Sequence, residues 1–380
     1  MSRVEVIEKG VLYRNPLPGH RAVIAFAPFV LPLSKDELIC TFRHGQAMYS
    51  HDGMVYSLKS EDGGRTWGSA EPVRDREKDS MHYDYRSGLL TALRDGSIVM
   101  MCNRAGYTDP DRLYINPDTG GHTECEIIYV RSRDGGSTWT EPVIAELPEM
   151  PRGFVPAADG PIVELDDGRW MQLCSTWKSY DNAGAHNLNS FVLFSDDEGK
   201  SWGGWVDVAN GLKDDRSYSH GHIIRLRDGR FFCVFWAGNA QLTEFYDLCT
   251  VTSDDLGGQR WGRPVSTGIP GQSSYPASME DGRCILVYSH RENTDQPGIK
   301  LIVSDDEGKT WDSDDPFVAW DAYGKESLGV PRSSNYPSSH DAIAYGAPHV
   351  AHIDDDMALV SFWCTQSGDT NCRFCLLRIR

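Results

Sequence analysis

Histidine and arginine side chains recur in the long segments that separate the apolar runs of this sequence. Four arginines lie in such segments or at the strand ends beside them: Arg43, Arg86, Arg104 and Arg291. Ten histidines share these locations: His44, His51, His82, His122, His186, His220, His222, His290, His340 and His349. Guanidinium groups bind carboxylates and phosphates, and imidazoles exchange protons near neutral pH. On a protein with a formal charge of −18, these residues predict a cationic mouth that attracts a small anion.

The elements that must position these residues are marked by a repeated eight-residue box. It reads Ser304 to Trp311 in one copy, as Ser-Asp-Asp-Glu-Gly-Lys-Thr-Trp, and it follows an apolar run each time. Ser and Asp side chains accept hydrogen bonds from nearby backbone N–H groups, and Gly allows a positive φ. Each box therefore predicts a turn between two strands. The other four copies are 60–67, 132–139, 195–202 and 253–261, the last with one extra residue.

A second repeat lies between the boxes and consists of two apolar runs around a short acidic turn. The sequence Arg94-Asp95-Gly96 is typical, and Asp-Gly between apolar runs predicts a hairpin. Six copies occur: 29–42, 89–103, 162–176, 223–236, 277–289 and 350–364. Each unit then contains four strands, so residues 1–380 are predicted to form one all-β domain, a six-bladed β-propeller with four-stranded antiparallel blades. We expect residues 4–11 to complete the last blade and close the ring.

Strand order also separates two sets of loops. In an up-and-down sheet the acidic turns and the boxes lie on one face, and the remaining loops lie on the other. The second set is longer and more varied, which is typical of loops that carry binding and catalysis. The histidines and arginines described above belong to this second face.

Composition excludes several classes of partner. The negative charge argues against nucleic acid or an anionic membrane surface, and no run of apolar residues is long enough to span a bilayer. The N-terminus has no leader-like apolar region, and the ten cysteines are scattered, several of them in strand-like runs. We therefore expect buried free thiols and a cytoplasmic protein. The Cys372 and Cys375 pair fits a strand better than a zinc site.

The boxes are similar to the Asp-box, Ser-x-Asp-x-Gly-x-Thr-Trp, of the sialidase (neuraminidase) superfamily, also known as BNR repeats. The resemblance covers essentially the whole chain and implies a six-bladed propeller with the boxes opposite the active site. It also implies a glycoside hydrolase that works without a cofactor. Sialidases bind their substrate's carboxylate with three arginines, and they use a Tyr nucleophile paired with a Glu and an Asp general acid.

The resemblance transfers only part of this site to the present sequence. Asp52 is the nearest match for the general acid, and Arg43 resembles the arginine that precedes it. Arg291 matches the third arginine, whereas the first is replaced within Phe26-Ala27-Pro28 and the second by Trp236. Further candidates come from neighbouring positions: His220 where the Glu would stand, His349 near the last-blade Tyr, and Tyr275, Asp159, His44, Arg86, Arg104 and Glu124.

These matches leave three functions open. One is hydrolysis that removes an acidic or deoxy sugar from a glycan, with Asp52 as the acid, Asp159 as a second carboxylate and Trp236 as a stacking platform. Another is a lyase acting on a uronate, with His220 or Tyr275 removing the C5 proton. The last is a glycan- or protein-binding propeller without activity. His220 and His222 lie on one strand, where we expect only one to face the mouth, and hydrogen-bonded histidines are favoured over a metal site.

Overall fold

The computed structural model describes residues 3–79, 83–107, 109, 111–291, 294–322, 343–366 and 368–380. The regular secondary structure of this part of the chain is almost entirely β-strand, as the alternating apolar runs predict. It contains 26 strands, one short α-helix, Gly211–Asp214, and one 3-10 helix, Arg76–Lys78. Among the described residues, no helix has the length and apolar character needed to cross a membrane.

Four of the sheets are separate hydrogen-bonded units of four or five antiparallel strands each. The first contains β6 (Tyr83–Tyr85), β7 (Leu89–Ala92), β8 (Ile98–Gly106), β9 (Glu126–Ser132) and β10 (Val143–Ile144). The second contains β11 (Phe154–Ala158), β12 (Val163–Glu164), β13 (Trp170–Lys178), β14 (Ser190–Ser195) and β15 (Gly203–Ala209). The third contains β16 (Arg216–Arg225), β17 (Phe231–Asn239), β18 (Cys249–Thr252) and β19 (Val265–Ser266). The fourth contains β20 (Ser274–Ser278), β21 (Cys284–His290), β22 (Gly298–Ser304) and β23 (Phe317–Asp321).

The fifth sheet has eight strands and joins the two ends of the chain. One half contains β24 (Tyr345–Asp354), β25 (Met357–Gln366), β26 (Asp369–Ile379) and β1 (Val4–Tyr13). The other half contains β2 (Ile24–Pro32), β3 (Leu38–Gly45), β4 (Met54–Ser60) and β5 (Glu71–Pro72). A single parallel pair, Ile24 with Thr370, links the halves. The described part of the chain thus has five sheets where the sequence predicted six blades, because this pair merges two four-stranded groups.

The N-terminal strand β1 lies antiparallel to the C-terminal strand β26. Their register runs from Val4 opposite Ile379 to Tyr13 opposite Cys372. This is the pairing that the sequence predicted for residues 4–11. Because β26 would otherwise leave its backbone groups at a sheet edge, the added strand satisfies them and ties the chain ends together.

The box turns owe their shape to two side chains. In the first copy, Ser60 Oγ accepts the Gly64 N–H at 2.9 Å and donates to Asp62, while the Asp62 carboxylate accepts the Thr66 N–H at 2.8 Å. Gly64 has a φ of 85°, which explains the glycine. Copies at Ser132, Ser195 and Ser304 repeat these bonds. The predicted turns are confirmed there.

The fifth box departs from this pattern because it carries one extra residue. Ser253 Oγ donates to the Asp255 carbonyl at 2.7 Å, and the Asp255 carboxylate accepts the N–H groups of Gly257 and Gln259.

The core between the sheets is apolar: β14 is buried along its whole length, and all ten cysteines lie buried. Burial of these side chains drives the sheets together.

Candidate functional site

A cavity of about 270 Å³ is lined by the first strands of the sheet units. Its described lining comes from β2, β7, β11, β16, β20 and β24, together with the ends of the following strands and loops. No residue of a box turn belongs to the described lining. The cavity therefore lies at the strand ends for which the loop argument predicted a site, and its size approaches the roughly 300–1,000 Å³ usual for small-molecule sites.

Three of the lining strands carry a similar bulge. The register shifts between Phe26 and Phe29 in β2, between Ser219 and His222 in β16, and between Gly346 and His349 in β24. Each shift contains a non-glycine residue with positive φ: Ala27 at 51°, His220 at 50° and Ala347 at 40°. Such conformations are strained for residues with a Cβ and concentrate at functional sites.

One consequence of the bulge in β16 concerns the two histidines on that strand. The cavity is lined by both His220 and His222, so the expectation that only one of them faces the mouth is wrong. The extra residue in the bulge changes the direction of the side chains on either side of it. Sequence spacing alone does not reveal such an insertion.

Two histidines and a tyrosine form a compact cluster on one side of the cavity. The Tyr275 ring centroid lies 4.5 Å from that of His222 and 4.3 Å from that of His349. The Val30 N–H donates to His349 Nδ1 at 3.3 Å, so the proton of the neutral ring is on Nε2. His222 Nδ1 is buried and has no hydrogen-bond partner among the described residues.

Burial sets the charge of this cluster. It lowers the pKa of His222 to about 3, with a smaller contribution from His220, and it lowers the pKa of His349 well below the ordinary histidine value. Burial also raises the pKa of the Tyr275 phenol. At neutral pH both imidazoles are therefore neutral bases and the phenol keeps its proton. The cluster therefore carries no net charge.

Asp159 is the one carboxyl group in the described lining of the cavity. Its Oδ2 accepts a hydrogen bond from Ser175 Oγ and a longer one, 3.4 Å, from the Gly221 N–H. Burial raises the pKa of Asp159 to about 7 despite these two bonds, which favour the charged form. A carboxyl group that is half protonated near neutral pH is suited to act as a general acid or base.

Aromatic rings form a wall beside Asp159. His122 stacks on Trp177 with centroids 4.5 Å apart, Trp177 lies 5.4 Å from His220, and His220 stacks on Trp236 at 5.8 Å. All four residues line the cavity. Aromatic faces of this kind pack against the C–H faces of sugars as well as against one another. Trp236, predicted either as a stacking platform or as core, occupies a position between cavity and core.

The predicted Arg86 also lines the cavity, but its charge is already compensated. It donates to the Asp84 carboxylate and to the Met48 carbonyl, each at 2.8 Å. Its guanidinium lies 4.6 Å from the Tyr49 ring centroid and 4.3 Å from that of Tyr114. The nearby Asp84 carboxylate raises the pKa of Arg86 against the opposing effect of burial, so Arg86 is a fixed cation at the cavity rim.

Arg291 lies at the cavity beside the last sheet unit. Its Nε and Nη2 donate to the Tyr345 carbonyl at 3.1 and 2.9 Å, and Nη2 lies 3.5 Å from Ser273 Oγ. Gly346 beside it has a φ of 152°, a backbone conformation that residues with a Cβ rarely adopt, which explains the glycine. Arg86 and Arg291, both predicted as binding residues, thus line the cavity.

The remaining predicted residues do not belong to the described lining of the cavity. Arg43 is fully buried and donates to Asp84 at 2.8 Å and to the carbonyls of Ala47 and Ser50 at 2.8 and 2.9 Å. Burial lowers its pKa, although Asp84 opposes that shift. Arg43 thus anchors Asp84, which in turn holds Arg86.

Asp52 and His44 lie near Arg43, away from the described lining. Asp52 Oδ1 accepts the Gln46 N–H at 3.1 Å. Burial alone would raise the pKa of Asp52, but hydrogen bonds from Ser50 and Gln46 lower it below the ordinary value. Asp52 is therefore ionised at neutral pH, which disfavours a role as proton donor. His44 Nε2 lies 3.1 Å from the Tyr13 hydroxyl, and burial lowers its pKa.

Arg104 and Glu124 lie at the ends of the same sheet without reaching the described lining. Arg104 Nε donates to the Glu126 carboxylate at 2.7 Å, and its guanidinium stacks 4.0 Å from the Tyr83 ring centroid. Glu124 is exposed. Among the lining residues that sequence reasoning did not propose as binding residues are His122 and Trp177. The available signal was their position at the ends of long loops. No group of three or more metal-binding side chains occurs among the described residues.

The sheets, the box turns and the central cavity together define an all-β propeller of the sialidase type. The chain belongs to the family described as BNR repeat-like domain, whose model matches residues 108–341, within the sialidase and BNR propeller superfamily. A sialidase from Paraclostridium sordellii is 23% identical over 250 residues, 61% of this chain. The present chain spans 58% of the length of that relative.

Solved structures share the fold at low identity. A protein of unknown function from Dyadobacter fermentans matches over 100% of both chains with a TM-score of 0.76 and 19% identity. A Hadza microbial sialidase matches 98% of this chain and 68% of its own, with a TM-score of 0.65 and 14% identity. An α-L-arabinanase from Penicillium chrysogenum, complexed with arabinobiose, matches 99% of both chains with a TM-score of 0.66 and 14% identity. These similarities establish the fold alone.

Proposed function

We propose that this chain is a glycan-acting enzyme and that it cleaves a glycosidic bond in the central cavity. The observation that carries the proposal is Asp159, a carboxyl group with a pKa raised to about 7 at the wall of a cavity rich in aromatic rings. Aromatic faces bind sugars and a half-protonated carboxyl group moves protons, which together are what glycoside cleavage requires. The related sialidase and the arabinanase structure agree with a carbohydrate substrate.

The cavity also supports a six-bladed ring for the proposed enzyme. Its lining strands β2, β7, β11, β16, β20 and β24 come one from each of six antiparallel groups, if the eight-stranded sheet is counted as two blades. The two halves of that sheet share only the pair Ile24 and Thr370. We propose that each half is a blade, and that β1 in the last blade closes the ring.

For hydrolysis, Asp159 gives its proton to the glycosidic oxygen as the C1–O bond breaks. The attacking water loses a proton to an uncharged imidazole, for which His222 and His349 are the candidates because both line the cavity. Tyr275 lies between the two rings and positions them or stabilises the developing charge at C1. This arrangement assigns the acid to Asp159 and leaves Asp52 outside the reaction, because Asp52 is ionised and does not line the cavity.

The proposed substrate carries an acidic or deoxy sugar. Arg86 and Arg291 lie at the cavity, so a carboxylate on the sugar would meet positive charge there. Both guanidinium groups already donate to protein oxygens, and the three-arginine arrangement of sialidases is not present at the matching positions. We therefore propose a weaker anion contact than in sialidases and a sugar other than the standard sialic acid substrates.

The test is a hydrolysis screen at several pH values with aryl glycosides of sialic acid, other nonulosonic acids, uronic acids and deoxy sugars. Asp159→Asn is the reaction variant and Asp52→Asn is its matched control, because both remove one carboxylate. Release of one sugar that is lost with Asp159→Asn and kept with Asp52→Asn supports the proposal. If sugar release is lost only with Asp52→Asn, Asp52 and not Asp159 is the general acid.

A lyase reaction on a uronate is the second candidate, and the cluster of His222, Tyr275 and His349 favours it. A neutral histidine would remove the C5 proton, the C4–C5 double bond would form as the C4–O bond breaks, and Tyr275 would protonate the leaving oxygen. The expected product is an unsaturated uronate, detected by its ultraviolet absorbance when polyuronates are incubated with the protein. New absorbance without hydrolysis would select this reaction. If a folded protein gives no product in either screen, a glycan-binding propeller without activity is favoured.

A further inference from the structure

The two oxygens of the Asp159 carboxyl group have different environments. Oδ2 accepts both of the hydrogen bonds described above, from Ser175 Oγ and from the Gly221 N–H. Oδ1 has no hydrogen-bond partner among the described residues, and it is not one of the buried polar atoms that lack a partner, so it keeps exposed surface. Because Asp159 lines the cavity, Oδ1 is the oxygen that faces it.

The two donors to Oδ2 come from neighbouring sheets. Ser175 lies on β13, which pairs with the strand that Asp159 follows, and its side chain is fully buried. Gly221 lies on β16 in the next sheet, where the bulge shifts the register between Ser219 and His222. The bulge turns the Gly221 N–H out of the ladder and towards Asp159. One carboxyl oxygen is thus held from two sheets.

These bonds determine which oxygen carries the proton of the neutral carboxyl group. The backbone N–H of Gly221 can only donate, so it requires an acceptor at Oδ2. In a neutral carboxyl group the carbonyl oxygen is the better acceptor, which places the proton on Oδ1. After this proton leaves, both donors stabilise the negative charge that develops on Oδ2.

The other titratable groups near Asp159 come from several elements. Burial, with a smaller contribution from Asp159, raises the pKa of the Cys174 thiol on β13 and of the Cys233 thiol on β17 well above the ordinary value, so both stay protonated. Among the described residues, the bonds from Ser175 and Gly221 are what opposes the effect of burial on the pKa of Asp159. The imidazole and guanidinium groups on the cavity wall belong to His122, His220, His222, His349, Arg86 and Arg291.

We propose that Ser175 is a positioning residue for the general acid: together with the Gly221 N–H it fixes Oδ2, so that the acidic proton is held on Oδ1 and faces the cavity. This inference rests on the proposed function, in which Asp159 protonates the glycosidic oxygen. In that step the proton passes from Oδ1 to the glycosidic oxygen, which also takes the electron pair of the C1–O bond. Asp159 is left as a carboxylate whose Oδ2 accepts both hydrogen bonds.

An infrared titration tests the Ser175 contact without any turnover. The carbonyl stretch of the protonated Asp159 carboxyl group is followed across pH as the difference between each protein and the same protein carrying Asp159→Asn. Ser175→Ala removes a hydrogen bond that favours the carboxylate, so the midpoint should move to higher pH by about one unit or more. Ser175→Cys keeps a weaker donor, and its midpoint should lie between those of wild type and Ser175→Ala.

Ser190→Ala is the matched control for this titration. Ser190 is the register partner of Ser175 and is also fully buried, but its hydroxyl donates to the Tyr218 carbonyl at 3.3 Å. The infrared midpoint of the Ser190→Ala protein should therefore equal that of wild type. Melting temperatures show which variants are folded, and if Ser175→Ala does not fold, Ser175→Cys carries the comparison.

Kinetics then test the positioning role in the reaction. With the glycoside that the wild type hydrolyses, the basic limb of the pH profile of kcat/KM should move in Ser175→Ala by the same amount as the infrared midpoint, because the acid must be protonated in the free enzyme. KM should change little, since Ser175 is fully buried and does not line the described cavity. Loss of packing alone would lower kcat without moving the limb.

Equal infrared midpoints for wild type and Ser175→Ala, or an equal shift in Ser190→Ala, would overturn the positioning role. A midpoint that moves while the basic limb stays in place would show that Asp159 is not the acid, which overturns the proposed function and the positioning role with it. If the wild type hydrolyses no glycoside, the proposed reaction fails, and the infrared titration still decides whether Ser175 holds Oδ2.

Discussion

Replacing Asp159 by asparagine should change how thermal stability depends on pH. Burial raises the pKa of this carboxyl group from 3.8 to about 7 in the folded protein. Between those values the folded state binds more protons than the unfolded state, so the free energy of unfolding of the wild type falls as pH rises. The asparagine variant has no titrating group at this position, so its free energy of unfolding lacks this pH dependence. Its stability relative to the wild type should therefore increase from acid to neutral pH.

The size of the effect follows from the shift. About three pKa units correspond to about 4 kcal/mol at full effect, since one unit is worth about 1.4 kcal/mol. With an unfolding entropy of roughly 2.1 cal/mol/K per residue, the 380 residues give about 0.8 kcal/mol/K, so about 4 kcal/mol moves Tm by about 5 °C. Differential scanning fluorimetry from about pH 4 to about pH 8 measures the difference in Tm between the two proteins.

Asp52→Asn supplies a control of opposite sign. Hydrogen bonds hold the pKa of Asp52 below its ordinary value, so its carboxylate stabilises the fold above the unfolded pKa and loses that effect as pH falls through the folded pKa. The Asp52→Asn protein should therefore become less stable relative to wild type as pH rises from acid to neutral. A Tm difference for Asp159→Asn that stays constant across pH would refute the desolvation of Asp159 on which the mechanism depends.

Three further substitutions probe separate parts of the structure. Asp84→Asn leaves the fully buried Arg43 without its counter-ion and should cost about 3–5 kcal/mol in urea unfolding; a loss below about 1 kcal/mol would contradict the ion pair. Tyr275→Phe keeps the ring packing and should lower kcat at least about tenfold with Tm unchanged, whereas an unchanged kcat would remove the phenol from the reaction. Ser195→Ala removes the acceptor of the buried Gly199 N–H at 2.9 Å and should cost about 1–3 kcal/mol, with an unchanged Tm as the contrary result.

Local chemistry made the turns predictable from the sequence. A box such as 60–67 contains the donors, acceptors and glycine that shape it, and all of them lie within eight residues. The turn at Gly96 is similarly local, because the Leu93 N–H donates to the Ser97 carbonyl at 2.8 Å and the Gly96 N–H donates to the Leu93 carbonyl at 3.0 Å. Repetition of these signals then indicates a propeller, since each unit needs neighbours to bury its faces.

Contacts between residues far apart in the sequence determine which side chains form the site, and the sequence does not reveal them. Arg43 was predicted as an anion-binding residue, but its carboxylate partner Asp84 lies 41 residues away and neutralises it. The pKa of Asp159 depends on burial created by other strands. The bulges at Ala27 and Ala347 precede prolines, which is a local sign of an interrupted strand, yet nothing in the sequence shows that both reach the same cavity.

Diffraction from crystals of the Asp159→Asn protein, soaked with the glycan that the wild type cleaves, tests the central claim most directly. The account predicts an uncleaved glycan in the central cavity, with its scissile oxygen within hydrogen-bond distance of residue 159. A glycan bound outside the cavity, or one whose scissile oxygen faces Asp52, would contradict it.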